Sequence, residues 1–327
     1  MSTAPTSVTA ALTPSAKSEG SETQAKDFRL SDIPGVMGTL TWVQAQRIMQ
    51  RWFDGQPYVL EAGVKSGNVA ASTLSKEKVM EDLPFEWLNT GSTRIKPIIE
   101  DLEKQFRYVR DYNQTVGRLH SSLSERSPGL MELLRKLRKL GAIDLDKLTL
   151  RNGYYDLSDQ SAITLDESTQ FNFKRIGVSL WEQATDKLDD VYGALGGFAI
   201  KLAATRMATV VEEGRPSKIC IDEIGMYVRD TYDFINTGSD QFLGYWGEQG
   251  VLDPGAIDYM LGGAYVDKDG KRYFRVTNGS FNQYRDAHKM GGDFLIFSTV
   301  HKVPVDIEIT IGKVDLQEFK GRASGRG

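Results

Sequence analysis

The spacing of apolar positions changes about halfway along the chain. From Phe28 to about residue 150 they recur at intervals of three and four, the period of amphipathic helices. Trp42, Ala45, Ile48, Met49, Trp52 and Phe53 form one such face, opened by a Thr41-Trp-Val-Gln44 capping box and closed at Asp54-Gly55. Pro97 sits at the start of a second helix with Ile98, Ile99, Leu102, Phe106 and Val109 in phase. A third helix is predicted over 114–124. Ser127-Pro128 starts a fourth, which carries Leu130, Leu133, Leu134, Leu137 and Leu140 and stops at Gly141. A Gly/Ser/Ala stretch runs from Gly63 to Ser72, and residues 74–90 read as one or two short helices broken at Pro84. On the fourth helix Arg135, Lys136, Arg138 and Lys139 oppose the leucines. That pattern suits a bundle helix with a solvated basic face, or a helix lying on an anionic membrane surface.

Beyond residue 150 the period shortens towards two. Residues 171–180 suit a strand and 186–195 a short helix. Residues 199–211 and 219–228 suit the arms of a hairpin turning at Gly214-Arg-Pro216. A second hairpin is signalled by Lys268-Asp-Gly-Lys271 between 265–267 and 272–276. A helix over about 280–289 should end at Gly291-Gly292, followed by strands over 294–300 and 305–311 joined through Pro304. The expected plan is α+β: a disordered tail over 1–27, a helical N-terminal domain over 28–150 and a β-rich domain over 151–327.

Composition narrows the function. The 327 residues are 40% hydrophobic and 26% charged, which is ordinary for a globular chain. A net charge of −4 supplies no broad basic field and argues against a dedicated nucleic-acid binder. The single cysteine, Cys220, cannot form an internal disulfide, and no Cys/His cluster suggests zinc. The chain is therefore expected to be made in a reducing cytoplasm. Residues 1–26 lack the basic and apolar segments of a signal peptide, and no apolar run approaches the length of a transmembrane helix. Any export must use a route that reads no cleavable signal.

Two stretches carry candidate chemistry. At the end of the 219–228 strand, Arg229, Asp230, Tyr232 and Asp233 fall within five residues. At strand spacing Asp230 and Tyr232 share a face opposite Arg229 and Thr231. Two carboxylates, a phenol and a guanidinium suit a metal-assisted or acid–base site, and equally a loop with surface ion pairs. The other stretch is the predicted helix with Asn282, Tyr284, Arg285 and His288, whose spacing brings the last three to one patch. Its plainer reading is an exposed amphipathic helix. The remaining histidines, His120 and His301, suit a helix surface and a loop. HExxH, Walker A, GxSxG and EF-hand patterns are absent, and Gly193-Ala-Leu-Gly196-Gly197 lacks the spacing of a nucleotide loop.

The run Asp189-Asp-Val-Tyr-Gly-Ala-Leu-Gly-Gly-Phe-Ala-Ile-Lys-Leu202, followed by Arg229-Asp-Thr-Tyr-Asp-Phe234, resembles the activity domain of colicin M. In that bacteriocin family a His-Arg pair follows the aspartates within a few residues. Here Ile235 to Gln241 holds neither residue, so an insertion of about forty residues separates Asp233 from Phe281-Asn-Gln-Tyr-Arg285. Tyr284 then replaces the family histidine, and His288 stands one turn on. From Phe28 onward the chain also resembles an uncharacterised proteobacterial family associated with type VI secretion. The matching elements are Met49-Gln-Arg-Trp-Phe-Asp-Gly55 with Tyr58-Val59, the Asp189 run, Tyr227 to Phe234, and Gly291-Gly-Asp-Phe294.

The resemblances imply a colicin M-like C-terminal domain in an antibacterial effector that hydrolyses lipid II and so blocks peptidoglycan synthesis in interbacterial competition. The site they imply has a divalent cation, Mg2+, on Asp230 and Asp233. The aspartates could equally serve as general base; Arg285 clamps the pyrophosphate, Tyr232 orients a phosphate or an aspartate, Tyr284 stands in the place of the family histidine, and His288 protonates the leaving oxygen. Arg229 and Asn282 complete the substrate contacts. The implied partners are an immunity protein, a secretion spike or adaptor, and lipid II at the membrane surface of the target-cell periplasm. The alternative is a non-enzymatic adaptor, chaperone or structural component of secretion.

Overall fold

The computed structural model describes residues 28–107, 128–177, 188–236, 238–252 and 263–324. Helices come first in the chain: α1 (Ile33–Thr39), α2 (Val43–Asp54), α3 (Ala62–Lys65), α4 (Trp87–Gly91), α5 (Ile95–Arg107) and α6 (Pro128–Lys139). Among them lies β1 (Val79–Leu83), and after them β2 (Ile143–Asp144), β3 (Thr149–Leu150) and β4 (Gly153–Asp156). Next come α7 (Ala162–Ser168), β5 (Gln170–Ile176), α8 (Asp190–Leu195), β6 (Phe198–Val210) and β7 (Ser217–Tyr232). The rest is β8 (Phe242–Gly247), β9 (Gly250–Val251), β10 (Tyr265–Lys268), β11 (Lys271–Thr277), α9 (Asn278–His288), β12 (Phe294–Ser298), β13 (His301–Ile311) and α10 (Lys313–Ser324).

The architecture is α+β with a curled sheet. Its centre is the β6–β7 hairpin, antiparallel over most of both strands. Each long strand changes partner along its outer edge. β7 pairs β13 over 217–226 and β12 over 229–232, while β6 pairs β5 and then β4. Register shifts near Ala204 to Met207 let the sheet bend there. β1 extends the sheet parallel to β12. The interval from 242 to 277 holds a separate four-stranded sheet, β10-β11-β8-β9.

The main apolar cluster draws on both sequence halves, with Trp52, Phe53, Leu88, Ile99 and Leu134 packed among Ile200, Ile224, Val228, Phe294 and Ile309. A smaller cluster on the other face holds Leu60, Val64, Tyr227, Leu295 and Phe297. Strand alternation sends Ile224, Met226, Val228 and Tyr232 to the main core and Tyr227 to the smaller one. Asp230 therefore occupies a position that alternation assigns to the main core.

Several expectations need correction. Within 74–90 a 3-10 turn at Lys76–Lys78 and the start of α4 after Pro84 are helical as expected, but between them the chain forms the strand β1, whose Val79, Met80 and Leu83 are buried. Five residues are too few for period to separate strand from helix, and pairing with β12 decides it. The Thr41 capping box does not form, since Thr41 Oγ1 donates to Leu40 O. The α2 amides of Gln44 and Ala45 instead donate to Asp190, at 3.2 and 2.8 Å, from 146 and 145 residues away. Pro304 lies inside β13, where the register shifts towards Ile307 and a missing amide is tolerated. The leucines of α6 are buried, with Leu133, Leu134 and Leu137 fully enclosed, so they serve packing. The expected tail and the 114–124 helix lie outside the described residues. No helix among the described residues is long and apolar enough to cross a membrane.

Candidate functional site

The C-terminal end of β7 opens onto a cavity of about 320 Å³. α1 and α2 contribute Ile33, Met37 and Met49 to its wall, and α9 and the 242–277 sheet contribute Phe281, Phe242 and Trp246. The Tyr192 to Gly197 segment and Gly177 form another part of the wall. Gly177 has φ +71, and a Cβ there would sit 2.8 Å from Gly196 O, so two chain segments meet backbone to backbone. The Asp189 run is organised for this. Asp189 accepts from Tyr192 N at 2.9 Å and caps α8, while Asp190 caps α2 and also accepts from Trp87 Nε1 at 2.8 Å.

Asp230, Tyr232 and Asp233 all line this cavity. Burial pushes the Asp230 carboxyl from 3.8 up to about 8; a bond from the Thr231 amide opposes the shift, the Asp233 charge adds to it, and Arg229 opposes it. At neutral pH Asp230 is thus mainly a neutral acid. Tyr232 is buried, its hydroxyl donates to Met49 Sδ at 3.2 Å, and burial holds the phenol far above its ordinary range. Asp233 accepts from Lys65 Nζ at 2.8 Å, an ion pair spanning 168 residues of sequence.

Arg229 lies on the opposite sheet face. Its guanidinium donates to Val64 O at 2.9 Å and Lys65 O at 3.4 Å and pairs with Asp166 at 3.5 Å. It anchors α3 and does not line the cavity.

The α9 residues divide. Phe281 stacks on Phe234 at 3.7 Å, and Asn282 Nδ2 donates to Phe234 O at 2.9 Å, so the helix is fixed to the strand end. Tyr284, Arg285 and His288 point elsewhere. Arg285 is buried, donates from Nε to Gly291 O at 2.8 Å and pairs with Asp293, which also accepts from Trp52 Nε1 and Leu60 N. A guanidinium so occupied cannot clamp a pyrophosphate without breaking the core. Tyr284 packs edge-on to Phe53 and beside the exposed His288 ring. His301 stacks on Phe85 and contacts Glu86 and Glu103 at 2.7 and 2.9 Å, and His120 lies outside the described residues.

Among the described residues no three His, Cys, Asp or Glu side chains converge as a metal site. The Asp233 charge helps to keep Asp230 protonated, so the pair would hold a cation only with Asp230 ionised. Mg2+ often takes only one or two carboxylates and completes its shell with water and substrate phosphate, and the ionised pair would be of that kind. Lys65 is the residue that sequence reasoning missed. Its Gly/Ser/Ala surroundings carried no chemical signal, and its partner is remote.

A family model described as a family of unknown function (DUF6402) matches residues 28–312. No curated protein and no solved structure matches the chain.

Proposed function

The chain belongs to the DUF6402 family, and we propose that it is a hydrolase of a phosphate ester, acting on lipid II as a type VI secretion-associated antibacterial effector. The observation that carries this reading is Asp230, a buried acid held neutral near pH 7 on the wall of a cavity. Asp233 lines the same cavity but is ion-paired to Lys65. Two carboxylates in contrasting environments can divide acid and base work. Asp230 donates a proton to the leaving oxygen, and Asp233 accepts one from the attacking water. With Asp230 ionised the pair would instead hold Mg2+, which would polarise the phosphoryl oxygens. Tyr232 fixes the strand end by packing on Phe234 and Phe294. The colicin M resemblance of Asp189 to Leu202 and Arg229 to Phe234 supports lipid II as the substrate. With it come action in the target-cell periplasm and an immunity partner.

A non-enzymatic secretion adaptor or chaperone is favoured by one observation: no cation of α9 reaches the cavity. Periplasm-directed expression in a susceptible bacterium separates the two. Lysis by wild type, and not by folded Asp230→Ala or Asp233→Ala, is the expected result. No growth effect in either compartment, together with tight one-to-one binding to another secreted protein, selects the adaptor.

A further inference from the structure

We propose that Lys65 is the cation that meets phosphate oxygens at this corner, the role that residue order alone gives to Arg285. The proposal rests on reading the cavity as a phosphate-ester site. α3 has only four residues, yet it is held firmly. Val64 is buried, and Arg229 donates to the carbonyls of both Val64 and Lys65. The Lys65 backbone is therefore tied to the end of β7, with Arg229 as its positioning residue.

From that anchor the Lys65 side chain reaches Asp233, its one partner among the described residues. An ammonium has three donors, and Lys65 keeps 28% of its side-chain surface exposed against 9% for Asp233. The neighbouring cations are engaged elsewhere. Lys201 and Arg229 face Asp166, Lys136 donates to the Asp166 and Glu167 carbonyls, and Arg285 is enclosed with Asp293. Lys65 does not itself line the cavity, but alone among these it has its partner on the cavity wall, 2.8 Å from its ammonium.

A phosphate oxygen competes with a carboxylate for the same ammonium donor. Arrival of a pyrophosphoryl group exchanges Asp233 for phosphate on Lys65. The exchange leaves the Asp233 carboxylate free to accept a proton from water, so the resting ion pair keeps the base covered until substrate binds.

The test titrates inorganic pyrophosphate into the full chain by calorimetry in metal-free buffer. Lys65→Met should weaken binding by about tenfold or more, and Lys65→Arg should stay within about threefold of wild type. Asp233→Asn should bind more tightly than wild type, because the competing carboxylate is gone. A structural strut cannot give opposite signs in its two halves. If Lys65→Met fails to fold, Lys65→Arg and Asp233→Asn still read the exchange. A wild type that does not bind, a folded Lys65→Met that binds equally well, or weaker binding by Asp233→Asn overturns the proposal. If the expected pattern appears and wild type leaves lipid II intact, the phosphate site stands and the hydrolase reading falls.

Discussion

The β7 end and the α9 helix face are each rich in functional side chains, and they pack together through Phe234 and Phe281. They use those side chains in opposite ways. On α9, Arg285 is 7% exposed and Asp293 not at all, and their hydrogen bonds extend to Gly291, Trp52 and Leu60. At the β7 end, Asp230 has the Thr231 amide as a weak counterweight to burial and faces a cavity. A buried charge paired and hydrogen-bonded within the core is architecture, whereas a buried acid beside empty space can do chemistry.

The largest expected effect breaks the matched side. Arg285→Met leaves the Asp293 carboxylate enclosed without its cation, which should destabilise the fold by roughly 3–5 kcal/mol. Denaturant unfolding measures it, and a loss below about 1 kcal/mol would mean that the pair is not structural.

The next effect sharpens the other side. Because burial raises the folded Asp230 pKa to about 8, the folded state holds a proton that the unfolded state has released between about pH 4 and pH 8. The stability associated with that proton is complete below pH 4. It falls as pH rises and is gone above pH 8. Asp230→Asn cannot ionise, so it should match wild type near pH 4. At pH 9 it should exceed wild type by on the order of 3 kcal/mol, a figure reduced for the water that the cavity admits. Parallel stability curves for the two proteins would show that Asp230 is not held neutral.

These contrasts explain what was legible beforehand. The β6–β7 hairpin, the 268–271 turn, α2, α5 and α9 could all be read because their signals are local: period, turn residues and helix stops. β1 could not, because its state depends on β12, which lies more than two hundred residues away. The Asp230, Tyr232 and Asp233 corner was visible as a group of residue types on the right strand. Its environment was not, since the cavity is assembled from α1, α2, α8, β8 and α9 together. The same limit applies to α9. Spacing placed Tyr284, Arg285 and His288 on one patch, but it could not reveal that Asp293 and Trp52 were waiting underneath. Lys65 carried no local signal at all. Its meaning lies in Asp233, which only folding brings within 2.8 Å.

The smallest expected effect concerns His288. It is exposed at the end of α9, and its one ring neighbour among the described residues is Tyr284, at 4.3 Å. His288→Ala should change stability by no more than about 0.5 kcal/mol and leave periplasmic lysis at the wild-type level. The result matters because the colicin M resemblance would assign this histidine the leaving-group proton, whereas the function proposed above assigns it to Asp230. Were folded His288→Ala to lose lysis, α9 would have to turn its outer face into the cavity when substrate binds. That movement would break the Asn282 bond to Phe234 O and the Phe281 stack, and the contrast between a matched face and an open one would hold only for the resting protein.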